Sequence, residues 1–334
     1  MRQYKIGILG ATGAVGREMM KVLEERKFPI SELRLLAGAG SAGKRIGFMG
    51  KEHTVVQASE DAFEGLDIVL GAAENDIAMR FAPAIVKAGA VFVDNSSAFR
   101  LYEDVPLVVS EINPEDVRKH RGIIANPNCT TIISLVALNA LNKESPIESI
   151  IASSYQAVSG AGAQGISELS EETAAIAAGA AVKPSVFPYQ IAYNVIPQFG
   201  SEAFMGYTSE EMKLQNEGRK ILHSPELKVS CTCVRVPVFR SHSVSLLIRT
   251  KEKISIARAR ELIAAAAGCR LTDDIANRIY PMPLDTSDQD LVYVGRIRDD
   301  LTDERGLNLW CCGEQLRKGA ATNAVQIAEI VAGL

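Results

Sequence analysis

The stretch Tyr4-Lys5-Ile6-Gly7-Ile8-Leu9-Gly10-Ala11-Thr12-Gly13-Ala14-Val15-Gly16 decides the fold. A short apolar strand runs without a linker into three glycines spaced GxxGxxG, and a helical pattern follows. Glycines at these positions let the backbone turn tightly and approach a pyrophosphate. The helix start supplies unpaired N–H groups and partial positive charge. The loop therefore reads as a variant of the dinucleotide fingerprint, with Gly10, Ala11, Thr12, Gly13, Ala14, Val15 and Gly16 as cofactor contacts. Over residues 15–26, Val15, Met19, Val22 and Leu23 recur at helical spacing, and Arg17, Glu18, Lys21, Glu24 and Glu25 take the polar face.

Working outward, LRLLA (33–37), TVVQ (54–57), DIVLGAA (67–73), VFVDN (91–95) and IIAN (123–126) read as further strands, with helix-period segments between several of them. Alternating strand and helix predicts an α/β domain, a doubly wound parallel sheet covered on both faces. After about residue 145 the strand candidates lengthen, as in 147–158, 227–238, 242–250, 291–299 and 306–312, with one helical stretch at 166–178. Longer strands with fewer helices between them predict an α+β domain with a mixed sheet. Residues 184–208, rich in proline and aromatics, are expected to form a long loop that is either functional or part of an interface. The last stretch is a helix whose apolar positions need a partner. The expected division is residues 1–128 with the C-terminal helix 315–334, and residues 129–314.

Composition narrows the classes. With 334 residues, two domains are expected at about 100–200 residues each. A hydrophobic fraction of 47% and a charged fraction of 23% are those of a folded globular chain. A net charge of −4 offers no broad basic surface, so neither nucleic acid nor an anionic membrane is the expected partner. The N-terminus lacks a signal-peptide pattern and no apolar run approaches a span of about 20 residues, so a cytoplasmic protein is expected. The cysteine spacing suits neither a disulfide framework nor a zinc site, and no metal is expected. Cys231, Cys233, Cys269, Cys311 and Cys312 read as buried reduced thiols.

Cys129 differs. It follows Asn126-Pro127-Asn128 and opens the apolar helix TTIISLVALNAL. A thiol at a helix start meets the macrodipole and free N–H donors, which favour the thiolate and can also hold an oxyanion. The plainer alternative is a small apolar residue packed under the helix. Among the four histidines only His242 stands where a polar run meets a strand, which suits a proton partner, although a lone histidine there can equally be structural. At the end of the second strand no acid stands to bind ribose hydroxyls. Ser41, Lys44 and Arg45 nearby suit the 2′-phosphate of NADP, or form a solvated loop.

Taken together, GATGAVG, DNSSAFR (94–100), NPNCTT (126–131), SYQAVSGAG (154–162), EEMK (210–213) and RVPVFRSHS (235–243) resemble the bacterial aspartate-β-semialdehyde dehydrogenases, in order and spacing, over nearly the whole chain. The resemblance implies a phosphorylating, nicotinamide-dependent aldehyde dehydrogenase of lysine, threonine, methionine and diaminopimelate biosynthesis. It also implies a glyceraldehyde-phosphate-dehydrogenase-like C-terminal domain and a homodimer. It makes Cys129 the nucleophile, His242 the acid–base and Gln156 an orienting group. Arg235 would hold the substrate carboxylate and Glu210 its ammonium, with Arg100, Asn128 and Lys213 for phosphate. Ser41, Asn95, Ser96, Ser159 and Gly160 would join the glycine loop at the cofactor. One departure stands out. Where the family carries a Ser-Ala-Arg-Ser-like segment this chain reads Gly38-Ala39-Gly40-Ser41, so NADP is expected with NAD use open. The rival readings are an N-acetyl-gamma-glutamyl-phosphate reductase, a Cys/His hydrolase and a non-catalytic cofactor-binding relative.

Overall fold

The computed structural model describes residues 2–334 and divides them into two units: residues up to Asn128 together with Ala320–Leu334, and Cys129–Gly319.

In the first unit, β1 (Tyr4–Leu9), β2 (Ile30–Ala37), a hairpin of β3 (Arg45–Phe48) and β4 (Lys51–Thr54), β5 (Val56–Gln57), β6 (Ile68–Gly71), β7 (Val91–Asp94) and β8 (Ile123–Ala125) follow one another. Six of them form a sheet in the order β5-β2-β1-β6-β7-β8, and every pairing is parallel. The strand order reverses at β1, where an open α/β sheet places its ligand crevice. Helix α1 (Ala14–Glu25) buries Met19, Met20, Val22 and Leu23 and leaves Lys21, Glu24 and Glu25 in solvent, as the spacing predicts. The second helix, α2 (Asn75–Lys87), buries Ala78, Phe81, Ala82 and Ile85 in a core cluster with Leu9, Leu36, Phe63 and Phe92.

The run TVVQ is not one strand. Thr54 closes the β3–β4 hairpin, and Val56–Gln57 pairs instead with the end of β2. Between them the buried Val55 belongs to neither pairing: its N–H donates to the Lys44 carbonyl and its carbonyl accepts from the Gly43 N–H.

The second unit opens with α3 (Cys129–Glu144). Then come β9 (Ile147–Gln156), α4 (Gly162–Ala177), a small hairpin of β10 (Glu202–Phe204) and β11 (Tyr207–Thr208), α5 (Ser209–Ile221), β12 (Lys228–Arg235) and β13 (His242–Thr250). The chain continues with α6 (Ile256–Ala265), β14 (Cys269–Leu271), the short α7 (Pro283–Thr286), β15 (Val292–Asp299) and β16 (Gly306–Gly313). Its sheet runs β12-β9-β13-β16-β15-β14. It is mixed: the two edge strands lie parallel to their neighbours and the interior pairs are antiparallel. Helices α3, α5 and α6 cover one face.

After β16 the chain passes through one π-helical turn, Arg317–Ala321, into α8 (Thr322–Ala332). Within the first unit, α8 buries Ala324, Val325, Ile327 and Ala328 in the same core cluster as β1 and α1. Arg26 clasps Glu329 with Nε and Nη2, at 2.8 and 2.7 Å. Among the described residues no helix is long and apolar enough to cross a membrane.

Candidate active site

Three site residues stand at one end of the second unit's sheet because of period-2 alternation. Along β9 from Ile150 onward the buried side chains are Ile150, Ala152, Ser154 and Gln156; along β12 they are Cys231, Cys233 and Arg235. Register pairs Arg235 with Gln156, and β13 begins beside them at His242, also buried. The parallel strands end where the antiparallel one starts. Gln156, Arg235 and His242 thus share the helix-covered face at the same edge.

Cys129 is the first residue of α3 and is partly open to solvent, while the other five cysteines are buried. Its Sγ lies 3.4 Å from His242 Nε2. On the far side of the ring, the backbone N–H of Ala157 donates to Nδ1 at 3.0 Å. A neutral imidazole that accepts at Nδ1 carries its proton on Nε2, the nitrogen facing the sulfur. Burial, and then the charge of Arg235, push the His242 pKa well below its ordinary 6.5, so the ring is held uncharged. The sulfur therefore faces a donor and the start of a 16-residue helix, both of which favour thiolate.

Arg235 donates from Nη1 to the Ala157 carbonyl at 2.7 Å, while its buried Nε has no hydrogen-bond partner among the described residues. Its guanidinium lies over Phe199 at 4.3 Å and near Phe187 at 5.7 Å. Those rings come from the segment expected to be a long loop. Residues 181–201 are indeed mostly irregular, but the end of the segment forms the β10–β11 hairpin. Two buried carboxylates one helical turn apart on α4 hold it down. Glu168 accepts from Ser185 and from the N–H groups of Val186 and Phe187, and Glu172 from the N–H groups of Ile191 and Ala192.

Gly160 leaves no room to spare: a Cβ there would lie 2.7 Å from Arg235 Nη1 and 3.4 Å from His242 Cε1. Gln315 donates from its Nε2 to the Ser159 hydroxyl oxygen. Gln315 also accepts from the N–H of Ser241, which has a left-handed φ of 71° immediately before His242. Gln156 donates to Ser154 Oγ at 3.2 Å and touches Cys233 Sγ. On α5, Glu210 and Lys213 pair with each other at 2.6 Å. The spacing of motifs gives no hint of Phe187, Phe199, Gln315 or Gly319, whose roles come from contacts distant in sequence.

In the first unit, Gly10, Thr12 and Gly13 line a cleft of about 450 Å³, together with residues from the ends of β2, β5 and β6. Gly10 has φ +88°, and a Cβ there would lie 2.4 Å from the Ala72 carbonyl oxygen. Added to Gly16 it would fall 2.4 Å from the Gly10 oxygen. Ala11 is buried beneath the turn, Ala14 and Val15 are half-buried in the first turn of α1, and that turn carries no acid. A backbone turned this tightly, ending in a helix start without a carboxylate, fits a pyrophosphate.

Thr12 and Ser41 hydroxyls stand 3.5 Å apart, and Lys44 Nζ is 3.5 Å from Ser41 Oγ. Arg45 points elsewhere, into an ion pair with Glu52 across the hairpin. Ser96 bonds Asp94, and the buried Nδ2 of Asn95 has no partner among the described residues, an unused donor that also fits a bound cofactor. Arg100 is buried, donating to the carbonyls of Asn126 and Asn95 at 3.0 and 2.7 Å. Asn128 ends this unit, next in sequence to Cys129. Arg100 and Asn128 thus belong to one unit, and Lys213 to the other.

Residues 5–120 match the family model of the semialdehyde dehydrogenase NAD binding domain, and residues 138–318 that of the semialdehyde dehydrogenase dimerisation domain. An aspartate-semialdehyde dehydrogenase of Aquifex aeolicus is 48% identical over 332 residues, 98% of either chain. The chain belongs to the aspartate-semialdehyde dehydrogenase family. A family member from Prochlorococcus marinus is 46% identical over 99% of this chain and 96% of its own. The crystal structure of aspartate semialdehyde dehydrogenase II from Vibrio cholerae, complexed with ASA, superposes with a TM-score of 0.97 at 42% identity, covering 100% of this chain and 99% of that one. As a member of this family the chain is an oxidoreductase acting on an aldehyde group, with a nicotinamide cofactor.

Proposed function

We propose that the chain catalyses the reversible, NADP-dependent reductive dephosphorylation of 4-phospho-L-aspartate to L-aspartate 4-semialdehyde through a thioester on Cys129. One observation carries the reading: in a chain of this family, the sulfur at the head of α3 stands 3.4 Å from Nε2 of the buried His242.

The Cys129 thiolate attacks the acyl phosphate carbon, and the oxyanion is met by N–H groups at the start of α3 and by the Nε2–H of His242. Collapse breaks the C–O bond to phosphate, inorganic phosphate departs, and the acyl group remains on sulfur. The nicotinamide, when bound, supplies the hydride that a thioester accepts more readily than a carboxylate. His242 Nε2 shares its proton with the resulting alkoxide, the C–S bond breaks, and the aldehyde leaves a restored thiolate. Gln156 orients the acyl group.

Arg235 presents a planar fork to the α-carboxylate. The Glu210–Lys213 pair offers a carboxylate for the substrate ammonium and an ammonium for phosphate, and Arg100 and Asn128 are also assigned to phosphate. NADP is supported by the missing acid at the end of β2 and by Thr12, Ser41 and Lys44 around that loop. We assign a homodimer to the second unit, whose open sheet face exposes Ile151 and Tyr155 and whose 184–208 segment exposes Tyr189 and Tyr193.

The test is phosphate-dependent reduction of NADP by aspartate semialdehyde, run beside NAD and beside the Cys129→Ala variant. Turnover should need phosphate, favour NADP and vanish in the variant while NADP binding persists. Near-normal turnover by Cys129→Ala would sink the assignment.

A further inference from the structure

The nucleotide cleft of the first unit is a slot between the ends of the parallel strands, walled chiefly by Ala37, Gly38, Ala39, Ala58, Ile77 and Phe81, with Gln57 and Glu74 its polar lining on either side. Small and apolar walls of this kind suit the two faces of a purine. On the β2 side the slot is undefended. A Cβ placed on Gly38 or Gly40 would meet nothing within 4 Å, so beyond the small Ala39 nothing at 38–40 closes the slot.

The cleft has one cationic lining residue, and it comes from the opposite wall. Arg80 lies in the second turn of α2 and is solvent-exposed. Its guanidinium makes no hydrogen bond or ion pair among the described residues, and its Cζ rests 5.1 Å from the centre of the Phe81 ring. It also borders a neighbouring hollow lined by Glu60, Asp61 and Glu64, yet is bonded to none of them. A planar, weakly hydrated cation at the mouth of an apolar slot, uncommitted to any carboxylate, is a stacking group.

We propose that Arg80 closes the adenine end of the cleft, laying its guanidinium on the purine and doing from α2 what the glycine-rich β2 loop of this chain cannot. This rests on the cleft being the dinucleotide site. Adenine is common to NAD and NADP, so the contribution is the same for both, and the choice between them is left to the 2′-phosphate side.

The test measures binding of NADP and NAD to the full chain and to Arg80→Ala and Arg80→Lys by calorimetry, together with turnover supported by nicotinamide mononucleotide, which lacks the adenosine. Arg80→Ala should weaken both dinucleotides alike, by about tenfold, the usual scale of base stacking. Arg80→Lys should not restore them, since charge without the plane does not stack. Turnover with the mononucleotide should be unchanged. Loss confined to NADP, full rescue by lysine, or unaltered binding would each overturn the proposal. A parent chain that binds neither dinucleotide would instead overturn the nucleotide reading beneath it.

Discussion

Gly319 is packed flat on the nucleophile: a Cβ at Gly319 would lie 2.8 Å from Cys129 Cβ and 3.2 Å from its Cα. The close approach occurs within the π-helical turn Arg317–Ala321, where the wider ring lets the backbone come down onto the head of α3. Any side chain at 319 must push the cysteine backbone, and with it the 3.4 Å contact to His242. Gly319→Ala is expected to lower kcat by about 100-fold, as displacements of about 1 Å at a reacting atom do. NADP affinity should be unchanged, and the pH profile of Cys129 alkylation should shift to higher pH as the thiolate loses its donor. Wild-type kcat with an unshifted alkylation profile would show that the contact is only packing.

Arg235 tests the substrate end. One Nη1 bond fixes it to Ala157, and Phe199 lies under the guanidinium plane, so the fork has little freedom left to lose when a carboxylate arrives. Lysine keeps the charge but loses the bidentate geometry and the stacking. Arg235→Lys should raise KM for the semialdehyde by about 10- to 100-fold, the scale of one hydrogen bond to a charged group, while leaving kcat within a few-fold. Steady-state kinetics at saturating phosphate and cofactor separate the two. An unchanged KM would remove Arg235 from the carboxylate.

Much of this was legible in the chain itself, for local reasons. The glycine loop is readable because Gly10 takes a left-handed φ and Gly16 abuts the Gly10 carbonyl six residues back, and the β12 face because alternate residues Cys231, Cys233 and Arg235 must point together. Cys129 is readable because a polar turn before an apolar helix marks a helix start. What escaped is set across the fold. No periodicity shows that Phe199 will cover Arg235, that Gln315 will bridge Ser159 and Ser241, or that Gly319 will meet Cys129. Arg45 misleads for the same reason: beside Ser41 in sequence it is a phosphate candidate, but the hairpin turns it to Glu52. TVVQ looks like one strand because β-branched composition does not register that Val55 faces the core between two different pairings.

His242 makes stability depend on pH in a direction fixed by its surroundings. Burial, and secondarily Arg235, hold its folded pKa well below 6.5, whereas in the unfolded chain it titrates near 6.5. Above pH 6.5 neither state binds the proton and the ring costs nothing. As pH falls below 6.5 the unfolded chain takes up a proton that the native site refuses, so the unfolded state gains and native stability is lost until the folded pKa is passed. The slope from this one residue is at most about 1.4 kcal/mol per pH unit. His242→Asn keeps an acceptor, Oδ1, placed to receive the Ala157 N–H, but cannot titrate. Denaturant unfolding between pH 7.5 and 5 should therefore show the wild type losing stability more steeply below pH 6.5 than the variant, with the two curves parallel above it. Curves that stay parallel down to pH 5 would mean that His242 takes up a proton in the native site as readily as in the unfolded chain, and the lowered pKa would have to be given up.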